Sequence, residues 1–296
     1  NQTSAGGYDI FVAKYSSAGA HLWAFSIGSS ILAEAGTGID VDNSNNVYVT
    51  GYFRDVVDFD PGAGTNSKTS VGSSDIFLAK YDSNGNHIWA NTFGSTDTDA
   101  GQQVKVDNLG YVYLIGDING SVDFEPGAGS AILNGDTFLP DGFIAKYDDD
   151  GNYQWAFHLT NGNQNRCYSV LPDSASNTVY LGGSFQGTVD FNPLGTTTNY
   201  SSPSGSSGFI AKYNGTNGIM LWNIPLYGSS TNVLDFSLNS SASSLWATGH
   251  MSNTIDFDPG AGTEELTSNG SSDIFIARYS SDGDYECAYN FGDDDI

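Results

Sequence analysis

Positive charge is scarce in this 296-residue chain: 9 Lys and Arg stand against 34 Asp and Glu, a formal charge of −25 at neutral pH. Nucleic acid and anionic lipid headgroups are held by clustered Lys and Arg, so a field of this sign excludes both as expected partners. Cys167 and Cys287 are the only cysteines. Two thiols are too few for a disulfide scaffold and do not fix the redox compartment. Long apolar runs are missing as well, and no stretch approaches the ~18 residues of a membrane-spanning helix. Direct membrane insertion is therefore not expected. The first residues, Asn1-Gln2-Thr3-Ser4, have neither the basic nor the apolar region of a signal peptide, so any export signal is expected to lie outside this segment. With four histidines and neither an HExxH nor a GxSxG pattern, little points to zinc or serine-nucleophile chemistry.

Aromatic residues, at 13%, and 37 glycines in a background rich in Ser, Asn and Thr are what the chain has in quantity. Such a mixture buries a core and turns often, which argues for a folded chain rather than a disordered one. Compared with itself, the sequence repeats. DIFVAKY at 9–15 returns as DIFLAKY at 75–81, DGFIAKY at 141–147, SGFIAKY at 207–213 and DIFIARY at 273–279, each 66 residues after the last. An aromatic strand follows each copy, around Trp23, Trp89, Trp155 and Trp222, with Cys287 in the corresponding place of the last. Alternating segments such as GIDVD at 38–42, a short turn and VYVTG at 47–51 then predict a hairpin, with relatives at 112–116, 179–183 and 245–249. A further landmark, VDFDPG at 57–62, recurs at 122–127, 189–193 and 255–260.

Four main strands per repeat, with no helical periodicity between them, predict an all-β fold. Strands apolar on both faces need cover on both faces. Four-stranded antiparallel sheets stacked around an axis supply it, so the predicted fold is a β-propeller, with a solenoid second. At about 66 residues per repeat the chain holds about 4.5 repeats. The division expected is an outer half-blade at 1–30 and full blades at about 31–96, 97–162, 163–228 and 229–296, one repeat domain over 1–296, read as a segment of a longer protein. The extra length of each blade lies in the connections at 54–74, 119–140, 186–206 and 252–272, where variable contacts are expected.

The DIFVAKY, VDNSNNVYVTG and VDFDPGAG motifs resemble the SBBP-type β-propeller repeats of secreted bacterial proteins, common in Bacteroidetes and often attached to a sorting domain of the type IX secretion system. The resemblance covers essentially the whole chain. It implies an extracellular or cell-surface location and assigns no activity.

A cation recurs in every copy, as Lys14, Lys80, Lys146, Lys212 and Arg278, and an acid recurs at Asp58, Asp123, Asp190 and Asp256. Charges inside a covered sheet need partners, so one structural Asp–Lys or Asp–Arg pair per blade is predicted. Asp60, Glu125 and Asp258 follow the acid by two residues, with Asn192 in the remaining copy. Residues two apart on a strand share a face, which makes Asp58 with Asp60, Asp123 with Glu125, and Asp256 with Asp258 candidate Ca²⁺ ligands, against the plainer reading of an Asp-Pro-Gly turn. Asp148 and Asp150 in the DDDGN turn at 148–152 are candidates of the same kind, although the equivalent SSAGA at 16–20 has no carboxylate. The tryptophans, with Trp246 standing where other copies have Tyr48, Tyr113 and Tyr180, are expected to pack between blades. Cys167 and Cys287 fall on different strand types, and a disulfide between them is not expected.

No catalytic residues are assigned. The function expected is a secreted or cell-surface binding, adhesion or structural module, non-catalytic, with a glycan, a protein or a second copy as partner and Ca²⁺ as the one cofactor considered. Two alternatives stand beside it. One is an extracellular polysaccharide hydrolase using carboxylates near the axis, such as Glu34, Asp97 or Asp99; the other is a filament or stalk subunit.

Overall fold

The computed structural model describes residues 2–160, 163–258, 260 and 262–294, and among these every regular element is a strand. β1 (Ile10–Tyr15) and β2 (His21–Ile27) form a two-stranded antiparallel sheet. A six-strand series follows: β3 (Ala35–Val41), β4 (Val47–Phe53), β5 (Val56–Asp58), β6 (Ser67–Thr69), β7 (Asp75–Tyr81) and β8 (His87–Phe93). It repeats as β9 (Ala100–Val106), β10 (Val112–Ile118), β11 (Ser121–Asp123), β12 (Ile132–Asn134), β13 (Asp141–Tyr147) and β14 (Tyr153–His158). A third series is β15 (Arg166–Asp173), β16 (Thr178–Phe185), β17 (Thr188–Asp190), β18 (Asn199–Ser201), β19 (Ser207–Asn214) and β20 (Met220–Leu226). The last is β21 (Asn232–Leu238), β22 (Ser244–Met251), β23 (Thr254–Asp256), β24 (Glu265–Thr267), β25 (Asp273–Ser280) and β26 (Tyr285–Phe291). The four-stranded sheets run β3-β4-β7-β8, β9-β10-β13-β14, β15-β16-β19-β20 and β21-β22-β25-β26, and each three-residue hairpin is a sheet of its own. These are the antiparallel blades of a β-propeller, as the alternation predicts.

Two compact units divide the chain, 1–138 with 144–156 and 139–143 with 157–296. In the first, β3 and β4 pack against β9, and the apolar core includes Val49, Phe53, Phe77 and Tyr81. In the second, β15 and β16 pack against β21 around Tyr180, Leu226, Val233, Phe275 and Tyr279. Strand β7 shows why its repeat is so apolar: all seven residues are buried, three or four on each face. β1 carries nearly the same sequence but has only β2 beside it, and its Phe11 is 75% exposed where the equivalent Phe77 is 0%.

Each of the strands β3, β9, β15 and β21 contains a β-bulge at the same place, at Gly36/Gly38, opposite Ile115/Gly116, at Cys167/Ser169 and at Val233/Asp235. The bulge pushes the carbonyl of Ala35, Arg166 or Asn232 onto the partner strand, where a Cβ on Gly51, Gly183 or Gly249 would overlap it. Gly51, Gly183 and Gly249 are therefore required by a close backbone approach. The small hairpins are held down by the phenylalanine of each VDF triplet. Phe59, Phe124, Phe191 and Phe257 are fully buried, and Phe59, for example, lies 5.4 Å from Phe53 and 5.2 Å from Phe77 between ring centroids.

Candidate functional site

Among the described residues, Lys14, Lys80, Lys212 and Arg278 find partners other than the recurring acids of the VDFDPG motif. Lys14 Nζ donates to the Ser83 carbonyl at 2.8 Å, Lys80 Nζ to the Asp149 carbonyl at 3.0 Å and Lys212 Nζ to the Ser281 carbonyl at 2.8 Å, in each case 69 residues on, in the outer turn of the next repeat. The same carbonyls accept the indole N–H of Trp23, Trp89 and Trp222 at 3.1, 3.1 and 3.4 Å. One oxygen thus clamps a cation and an indole from the preceding blade, which accounts for the expected packing role of these tryptophans. Beneath the cations lie the rings of Tyr48, Tyr113, Tyr180 and Trp246, 5.1, 5.1, 5.0 and 5.2 Å from Lys80, Lys146, Lys212 and Arg278. Burial pulls the Lys146 and Lys212 ammonium groups below their ordinary range, opposed by the charge of Asp107 and of Asp173 with Asp282 respectively. Arg278 instead forms its ion pair with Glu286, on the adjacent strand.

Lys80 has a carboxylate partner, but it is Asp149 at 2.5 Å, whose side chain is 55% exposed against 5% for the lysine. Burial acts to raise the Asp149 carboxyl, yet hydrogen bonds from Lys80 and Tyr48 outweigh it and hold the group below the usual carboxylate range. Since Asp149 can rehydrate when its partner is lost, Lys80→Met is expected to cost about 1–2 kcal/mol rather than the 3–5 of a fully buried pair. Urea denaturation measures this. A loss below ~0.5 kcal/mol would place the ammonium among ordinary surface charges.

The acids close loops. Asp58 Oδ1 accepts the N–H of Asp60 at 3.1 Å and of Asn66 at 2.7 Å. Asp123, Asp190 and Asp256 do the same two and eight residues on, for Glu125 and Ala131, Asn192 and Thr198, and Asp258 and Glu264. Asp60 and Glu125 turn back onto the N–H groups of Gly62 and Gly127. Asp148 Oδ1 takes the N–H groups of Asp150 and Asn152, the Asx-turn arrangement. One carboxylate oxygen each of Asp58, Asp60, Asp123, Glu125, Asp148 and Asp256 is thus engaged by backbone amides. Among the described residues no group of three or more His, Cys, Asp or Glu side chains is arranged to hold a metal ion. Cys167, buried, and Cys287, half-buried, are not in disulfides.

Two of the loop acids considered for hydrolysis, Glu34 and Asp99, also face amides. Glu34 Oε2 accepts Ser29 N–H, and Asp99 accepts Ser95 N–H at 2.6 Å and Asn119 N–H at 2.8 Å. Burial nevertheless pushes the Asp99 carboxyl up to about 6, the amide bonds opposing the shift only in part. A carboxyl raised in the folded state binds its proton more tightly there, so its contribution to stability is largest below about pH 4 and falls through the window up to about pH 6. Parent and Asp99→Asn melting curves should show the parent's advantage shrinking by about 2–3 kcal/mol between pH 4 and 7. A pH-independent difference would show that the carboxyl titrates normally.

A cleft opens beside the clamp, between the outer strand of one blade and the Asp-Pro-Gly loop and outer turn of the next. In the first unit it has a volume of about 390 Å³ and is lined by Trp23, Ala24, Asp60, Gly85, Asn86 and His87 among others. The same repeat positions, Trp222, Asn223, Asp258, Gly283, Asp284 and Tyr285, line a larger cleft of about 570 Å³ in the second unit. The connections singled out by their length supply one wall of each. The cleft itself has no signature in the motifs, because its walls come from consecutive repeats.

No protein-family profile matches the chain. The chain is 29% identical over 226 residues to an uncharacterised WD repeat-containing protein of Acanthamoeba polyphaga mimivirus, a match covering 68% of this chain and 16% of that protein. The chain is a β-propeller repeat protein. The regulatory protein FlaEY of Caulobacter vibrioides is 28% identical over 135 residues, covering 44% of the chain and 14% of its own length. Matches to this propeller repeat protein thus span about one sixth or less of each relative.

Proposed function

We propose that this propeller is a non-catalytic binding module of an SBBP-like secreted or cell-surface bacterial protein, engaging extracellular glycans or proteins through the clefts between its blades. The observation that carries the reading is the recurrence of one aromatic-walled cleft at the same repeat position in both units. Concave, partly apolar sites with a few polar groups are where ligands bind. The similarity to a WD repeat-containing protein supports an interaction role. The charge of −25 supports an extracellular, salt-rich setting, where screening reduces self-repulsion.

An array of immobilised glycans and surface proteins, probed with the purified chain with and without Ca²⁺, tests the reading. Saturable binding, without release of reducing ends from polysaccharide, is the expected result. Turnover of a polysaccharide would replace the binding module by the hydrolase alternative, and concentration-dependent self-association without ligand binding would replace it by the filament subunit. Loss of binding on Ca²⁺ removal would assign the ion a role.

A further inference from the structure

The larger cleft differs from the smaller at one decisive position. The residue after the clamp tryptophan, or after Cys287 in the last copy, is alanine at Ala24, Ala90, Ala156 and Ala288 and asparagine only at Asn223. Both amide atoms of Asn223 are buried and neither has a hydrogen-bond partner. An unpaired buried amide opposes folding, and alanine at the same place in four other repeats shows that the blade does not need it. The amide's terminal torsion is broad, so a small rotation turns it towards an occupant of the cleft it lines.

The chemistry of the occupant follows from what the lining offers. Asn223 presents a donor and an acceptor side by side. A cation would satisfy the carbonyl and leave the NH₂ unpaired, whereas a hydroxyl group satisfies both. Trp222, Tyr227 and Tyr285 supply aromatic surface, and the Trp222 N–H is already bonded to Ser281. Asp258 and Asp284 add acceptors for further hydroxyls. The same carboxylates repel anions; burial first, and then the charge of Glu264 with a smaller contribution from Asp258, raises the Tyr285 hydroxyl. We infer that the cleft at Trp222 binds a neutral saccharide unit, with Asn223 pairing to its hydroxyls and the aromatic rings covering its C–H faces. This rests on the binding-module reading and gives that reading one site and one ligand class.

The test titrates the intact chain with methyl glycosides of glucose, galactose, mannose and N-acetylglucosamine, read by ligand-observed saturation-transfer NMR and tryptophan fluorescence. Glucuronate and tetramethylammonium serve as charged probes. At least one neutral glycoside should bind saturably, Asn223→Ala should weaken it tenfold or more, and glucuronate should not bind. Because alanine is the residue of the other repeats, Asn223→Ala should also melt higher than the parent, so lost binding is not lost folding. Failure of every neutral glycoside, undiminished affinity in Asn223→Ala, or preference for tetramethylammonium would each overturn the inference. Array binding that Asn223→Ala leaves unchanged would remove this cleft while leaving the binding-module reading intact; a parent chain that binds nothing removes both.

Discussion

Gly183→Ala is expected to destabilise the second unit by about 3 kcal/mol, the upper end of the usual cost of overpacking a dense interior. The added methyl would coincide with the Arg166 carbonyl oxygen and crowd the Phe209 ring. Neither neighbour can yield cheaply: Arg166 is paired to Ser184 beside the bulge of β15, and Phe209 is fully buried. Gly19→Ala makes the comparison. Gly19 has a φ of 79° but nothing within 4 Å of an added Cβ, so only backbone strain of about 1 kcal/mol is expected there. Equal losses in the two variants, measured by chemical denaturation, would show that glycine conformation rather than the bulge governs these positions.

Phe191→Ala is expected to cost about 3–5 kcal/mol, the usual range for emptying a fully buried phenylalanine site. Its ring lies 5.2 Å from Phe185, 5.0 Å from Phe209 and 5.7 Å from Tyr200. The contact with Tyr200 ties β18 to the blade, so the variant should also release the β17–β18 hairpin. Limited proteolysis should find new cleavage between 192 and 198, in the loop that Asp190 closes. Phe11→Ala removes the same side chain from a site 75% exposed and should change stability by less than ~0.5 kcal/mol. Resistance of the Phe191→Ala loop to protease would mean that backbone bonds alone hold the hairpin.

The blades were legible because their strands obey a period of two over seven residues and recur every 66. The three-residue hairpins were not, since Val56–Asp58 and Ser67–Thr69 are too short to show alternation. They appeared only as long connections. The cation series was visible, and the burial of Lys80, Lys146 and Lys212 followed from the apolar strands around them, but the partners of Lys80 and Arg278 were not. In a repeat protein an acid stands equally in a copy's own loop and in the next one, so periodicity cannot tell Asp58 from Asp149 as the partner of Lys80; side-chain reach decides. The turn role of the VDFDPG acids was open in the sequence, but a carboxylate pattern does not reveal that N–H groups two and eight residues on fold back onto one oxygen. Asn223 was detectable as the one departure from alanine in five copies, a signal that requires comparing repeats for their differences rather than their likeness.

The clamp on the Ser83, Asp149 and Ser281 carbonyls reaches forward by one repeat and no further. Within each unit the coupling energy is therefore a nearest-neighbour quantity, of the kind a one-dimensional Ising chain describes. Such a chain lengthens by duplication of a 66-residue block without redesign, because every new block brings both halves of the next junction. It also confines damage: a substitution in one clamp should loosen a single junction and lower the cooperativity of unfolding before it lowers the midpoint. Variation such as Asn223 can then accumulate in one junction while the others keep the scaffold intact.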